Sequence, residues 1–87
     1  MEILYSEKAV AQLRKIAKGD RKSVQMILEK IELYAENPTG NYDVKFLKGS
    51  MSEYKRLRVG VYRVIFGDQN AVMYIYEVKH RKEAYDD

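Results

Sequence analysis

Residues Tyr54 to Phe66 read YKRLRVGVYRVIF. Successive side chains of a strand point to opposite faces, so Arg56 and Arg58 share one face while Leu57 and Val59 take the other. Gly60 interrupts the run and offers a turn, and a second strand from Val61 to Phe66 brings Arg63 back toward the same basic surface. The pattern predicts a hairpin with one apolar and one cationic face. A phosphate held on rigid strands, with extra negative charge stabilised during reaction, needs such a cluster.

Upstream of the hairpin the periodicity is helical. Glu2 to Tyr5 is a short β-compatible segment, and Ser6 is positioned to cap a helix carrying Val10, Leu13, Ile16 and Ala17 on one side. Gly19 closes that helix, and Asp20 caps a second, whose stripe of Val24, Ile27, Leu28, Ile31, Tyr34 and Ala35 runs until Asn37 and Pro38 stop it. Val44 to Leu47 reads as extended, Lys48 to Ser50 as a break, Gly67 to Asn70 as a turn, and Ala71 to Val78 as a β-rich strand. The expected fold is α+β: an N-terminal strand, a two-helix hairpin and a three-stranded antiparallel meander, with the helices on one sheet face. The other face is left for function.

At 87 residues, with 46% hydrophobic and 33% charged residues and one proline, the chain reads as one small globular domain over residues 1–87. The absence of cysteine removes disulfide scaffolds, thiol catalysis and the common structural zinc sites. One histidine and scattered acids give no metal-ligand spacing, so neither metal nor cofactor is expected. No run approaches the roughly 20 apolar residues of a membrane span and no secretory leader is evident, which predicts a cytoplasmic protein without membrane contact. The net charge of +3 is too small to identify a nucleic-acid binder. Its distribution says more, because Lys45, Lys48, Lys55, Arg56, Arg58 and Arg63 lie in a stretch where Glu53 is the only acid after Asp43.

The C-terminal run Lys79 to Tyr85, KHRKEAY, adds a second basic and aromatic segment. Against a functional reading stands the ordinary one, in which arginines on an exposed strand are a solvated face that blunts edge pairing. His80 alone reads as a packing residue at a strand end, and Asp43 as a turn residue unless its loop folds inward. Tyr5, Tyr34, Tyr54, Tyr62, Tyr74 and Tyr76 alternate with aliphatic residues or lie on a helix stripe, which predicts core or sheet packing rather than base stacking.

LKGS at Leu47 to Ser50, RLRVGVYRVIF at Arg56 to Phe66 and HRKEAY at His80 to Tyr85 occur in an order and spacing that resemble the RelE/ParE toxin superfamily of type II toxin-antitoxin systems. The RelE-like branch, favoured here, implies a ribosome-dependent mRNA endoribonuclease that inhibits translation without metal, by attack of a ribose 2′-hydroxyl on the scissile phosphate. By the same resemblance Arg56, Arg63, Arg81 and Tyr85 are the catalytic candidates, with Lys48, Lys55, Arg58, His80 and Lys82 as RNA-binding or supporting residues. Guanidinium groups suit the phosphate because they stay charged and grip two oxygens at once. Tyr85 or His80 would move protons, the tyrosine needing neighbouring cations to lower a reference pKa near 10. Implied partners are a cognate antitoxin, the ribosome and mRNA, with operator DNA reached only through the antitoxin complex. A ParE-like module that binds DNA gyrase, and a non-toxic antitoxin-binding homologue, are the alternatives.

Overall fold

Asp20 is the whole link between the two helices. In the computed structural model, which describes residues 1–49 and 53–83, helix α1 spans Glu7–Gly19 and α2 spans Arg21–Glu36. Ser6 caps α1 by accepting from the Ala9 N–H at 3.0 Å, and Asp20 caps α2 by accepting from the Ser23 N–H at 3.1 Å. Asp20 also closes α1, donating its own N–H to the Ile16 carbonyl. Gly19 is therefore the last helical residue rather than a left-handed cap. The stripe Ile27, Ile31, Tyr34 and Ala35 is buried, as its spacing requires.

The strands are β1 (Glu2–Tyr5), β2 (Val44–Phe46), β3 (Lys55–Val59), β4 (Tyr62–Gly67) and β5 (Val72–His80), forming one sheet in the order β1-β5-β4-β3-β2. The expected meander is β3-β4-β5, and both helices cover one of its faces. Two strands extend it, β2 antiparallel to β3 and β1 parallel to β5. Gly60, at φ 59°, is the first of two residues joining Val59 to its partner Tyr62, a position that demands a left-handed backbone and so glycine.

Leu57, Val59, Val64, Phe66, Met73, Ile75 and Val78 face the helices in a single core. Simple alternation cannot send both Ile75 and Val78 inward, since they stand an odd number of residues apart. A β-bulge resolves this: Phe66 pairs with Ile75, Ile65 with Glu77, and Tyr76 has no register partner on β4. Parity is shifted from there on, so Val78 turns in and Glu77 and Lys79 turn out. Beyond the end of β1, the free edge of β5 is satisfied by α1. The Ser6 hydroxyl donates to the Tyr76 carbonyl at 2.6 Å, and the Val78 N–H donates to Gln12 Oε1 at 2.6 Å.

Candidate phosphate site on the open sheet face

Across the face away from the helices, Arg58 pairs with Arg63 and Arg63 with Lys79, so a row of cations crosses three adjacent strands. Directly opposed like charges destabilise a sheet, and such a row persists where something offsets the repulsion. Here two carboxylates flank it. The Asp43 loop folds inward: its backbone carbonyl accepts from the Arg58 N–H at 2.9 Å, and its carboxylate lies 2.8 Å from Arg56 Nη1 and 3.5 Å from Arg58 Nη1. On the far side Glu77 pairs with Lys8 at 2.8 Å and Lys79 at 3.3 Å.

Both carboxylates are held ionised. The hydrogen bond from Arg56 keeps the Asp43 carboxyl below the ordinary range. Burial pushes Glu77 up, but its hydrogen bonds and the charges of Lys8 and Lys79 more than offset that, and it too lies below the ordinary range.

The candidates separate into groups. Arg56, Arg58 and Arg63 come together on the open face, but Arg56 is only 3% exposed, with its guanidinium turned to Asp43. Arg56 therefore lies beneath the surface, and Arg58 holds the exposed position. Arg63 is half-buried on the central strand. The Arg81 N–H donates to the Val61 carbonyl at 2.7 Å, which fixes its backbone beside the hairpin turn at the cationic end of the sheet. Lys48 and Lys82 are exposed, and Tyr85 lies outside the described residues.

Lys55 and His80 belong to the other face. Lys55 Nζ pairs with Asp68 at 2.9 Å beside the Tyr34 hydroxyl, because its parity is that of Leu57. His80 is the register partner of Tyr62 and meets its ring edge-on at 5.4 Å, the bulge having turned it toward the helices. Neither shares the surface of the arginines. The condition set for Asp43 in the sequence, a loop folding inward, is met, and Lys79, which alternation alone would have turned inward, faces out beside Arg63.

At the opposite end of the same open face, Tyr54, Tyr74 and Tyr76 pack on one another, with ring centroids 4.5 Å apart for Tyr54 and Tyr76 and 4.6 Å for Tyr74 and Tyr76. They stand outside the core, whereas Tyr34 is inside it and Tyr5 and Tyr62 pack against it. Among the described residues no group of His, Cys, Asp or Glu is arranged to hold a metal ion.

This basic, helix-backed sheet belongs to a small α+β fold shared with solved toxin structures. The family described as the ParE toxin of type II toxin-antitoxin systems, parDE, matches residues 3–85, and the chain belongs to that family. Toxin RelE3 of Methanocaldococcus jannaschii is 29% identical over 86 residues, covering 99% of this chain and 97% of its own. The RelB-RelE antitoxin-toxin complex of Methanococcus jannaschii aligns with a TM-score of 0.66 and 26% identity over 91% of both chains. The YoeB/ParE toxin of Agrobacterium tumefaciens has the same fold, with a TM-score of 0.76 at 16% identity over 92% of this chain and 98% of its own. These relatives agree with the RelE-like branch of the superfamily.

Proposed function

We propose that this toxin is a ribosome-dependent mRNA endoribonuclease that arrests translation, held inactive by a cognate antitoxin. The observation that carries the reading is the cross-strand row Arg58, Arg63 and Lys79, set on rigid central strands and facing away from the core. Metal-independent cleavage by a ribose 2′-hydroxyl requires in-line alignment, stabilisation of charge on the phosphate, and proton transfer. Arg63 and Arg58 grip the phosphate, Lys79 and Arg81 add positive potential, and Arg56 works from behind, holding Asp43 against the strand. Asp43 and Glu77 serve as counter-ions. A carboxyl held below its ordinary range is a weak base at neutral pH, and proton transfer is assigned to Tyr85 on the family resemblance.

An antitoxin partner is supported by the relatives solved in complexes, RelB-RelE of M. jannaschii and YoeB-YefM of Staphylococcus aureus. The family match itself favours a second reading, a gyrase-directed protein-binding module on the same fold. Mapping mRNA ends on purified translating ribosomes tests both. The nuclease reading expects discrete cuts by the wild type and a loss of roughly 100- to 1,000-fold in rate for Arg63→Ala, with a comparable loss for Tyr85→Ala. Intact mRNA together with a DNA-damage response on induction supports the gyrase reading. Undiminished cutting by both variants removes the site assignment.

A further inference from the structure

The tyrosine cluster closes around a small cleft of about 240 Å³, lined by Glu53, Tyr54, Gly67, Gln69, Tyr74 and Tyr76 together with Val72. That volume is below the several hundred Å³ typical of sites for drug-sized ligands and suits a fragment such as a single heterocycle. A Cβ built on Gly67 meets Tyr76 Cε2 at 3.5 Å and Tyr54 Cδ1 at 3.8 Å, so both rings rest directly over the β4 backbone. The rings are an aromatic platform and not part of the core.

Charge decides what suits the cleft. Among the described residues no Lys, Arg or His lines it, and Glu53 contributes a carboxylate, so a phosphate is disfavoured there. A neutral aromatic ring bearing an exocyclic amine is matched instead: it stacks on tyrosine and donates to Glu53 or Gln69. The cationic row lies on the same face, and Arg63 and Gly67, both on β4, are separated by four residues, about 13 Å of strand. A groove that holds a nucleic-acid backbone at one end and stacks bases at the other is how single strands are bound.

We infer that the cleft of Tyr54, Tyr74 and Tyr76 is a base-stacking subsite for a nucleotide flanking the phosphate held at Arg58 and Arg63, selective for amine-bearing bases through Glu53. The inference rests on the RNA-cleaving reading for its ligand, but it concerns binding and is tested without cleavage. The probes are 2′-O-methyl hexanucleotides of adenine, cytosine or uracil, which lack the attacking hydroxyl, and an abasic hexamer of the same backbone. Each is titrated into the full chain at low salt while the tyrosine ring resonances are followed.

Saturable shifts of Tyr54, Tyr74 and Tyr76 with the adenine and cytosine probes, absent with the abasic one, are expected. Tyr54→Ala and Tyr76→Ala should weaken adenine-probe binding by roughly 5- to 150-fold and leave abasic binding unchanged. Glu53→Gln, at an exposed position that does not threaten folding, should lower affinity for adenine and cytosine probes toward that for uracil. Unmoved tyrosine resonances, or equal affinity for adenine and abasic probes, would overturn the inference, as would tyrosine and Glu53 variants that bind like the wild type. Failure of this site is separable from failure of the nuclease reading. Ribosomal mRNA cutting that depends on Arg63 but is accompanied by no tyrosine contact removes the base site alone, and base contact without any cutting removes the nuclease alone.

Discussion

Arg58 and Arg63 face each other as register partners across β3 and β4, two guanidinium groups on one sheet face. Opposed like charges destabilise a sheet. Replacing Arg58 removes this repulsion at the cost of its half-exposed 3.5 Å contact with Asp43, a weak pairing. Arg58→Thr is expected to keep or raise the urea midpoint at unchanged m-value while lowering mRNA cutting, a split between stability and activity. A clear loss of stability on this substitution would show that Arg58 is held by more than its pairing with Asp43.

Asp43 joins its loop to the open face through Arg56. Asp43→Asn leaves the Arg56 guanidinium, 3% exposed, without its carboxylate, and should cost about 1 to 2 kcal/mol after allowance for the half-exposed Asp43 side chain. The acid limb of the stability curve should change as well. Because the folded carboxyl lies below its ordinary value, the unfolded chain takes up the proton first as pH falls. This contribution is whole above about pH 4 and is lost as pH drops through the depressed folded value. Urea titrations between neutral and strongly acid pH should give a shallower acid decline for Asp43→Asn than for the wild type.

On the helix side, Tyr34 donates to Asp68 at 2.5 Å and Lys55 Nζ lies 2.9 Å from the same carboxylate oxygen. Burial pulls Lys55 down, but its hydrogen bonds to Asp68 and Tyr34 leave it above the ordinary lysine value, and burial with the Asp68 bond raises Tyr34. The unfolded chain therefore loses these protons first as pH rises. Stability from the network is complete below about pH 10 and is lost through the raised folded values. Asp68→Asn should cost about 1 to 2 kcal/mol at neutral pH and flatten the alkaline decline, readable as a fall in Tm of several degrees.

Ser6 holds two structures at once, the first turn of α1 and the edge of β5. Ser6→Ala removes the acceptor for the Ala9 N–H and the donor to the Tyr76 carbonyl, and should cost about 1 to 2 kcal/mol. Amide exchange of Ala9 and of the β5 residues after Tyr76 should quicken together. Acceleration confined to the helix would mean that Gln12 and the residue-6 N–H hold the edge of β5 without the hydroxyl.

Much of the fold was legible because it is local. The caps Ser6 and Asp20, the stripe from Ile27 to Ala35 and the turn at Gly60 each act within a few residues, and their spacing announces them. The shared face of Arg56, Arg58 and Arg63 follows from the same period-two arithmetic. Burial of Arg56 was not legible, since it depends on a loop arriving from Asp43, and neither was the tyrosine platform, where Tyr54, just ahead of β3, meets two rings of β5.

By itself the sequence determined the order of elements, the hairpin, the polarity of its two faces and the family resemblance, all of which depend on periodicity and short motifs. Only the tertiary structure decided which cations complete the row. Core packing demands that Ile75 and Val78 both turn inward, the bulge at Tyr76 supplies the extra residue, and the shifted parity sends Lys79 to Arg63 and His80 to Tyr62. A one-residue irregularity reverses every side chain beyond it, and no local pattern in the strand records where packing will place it.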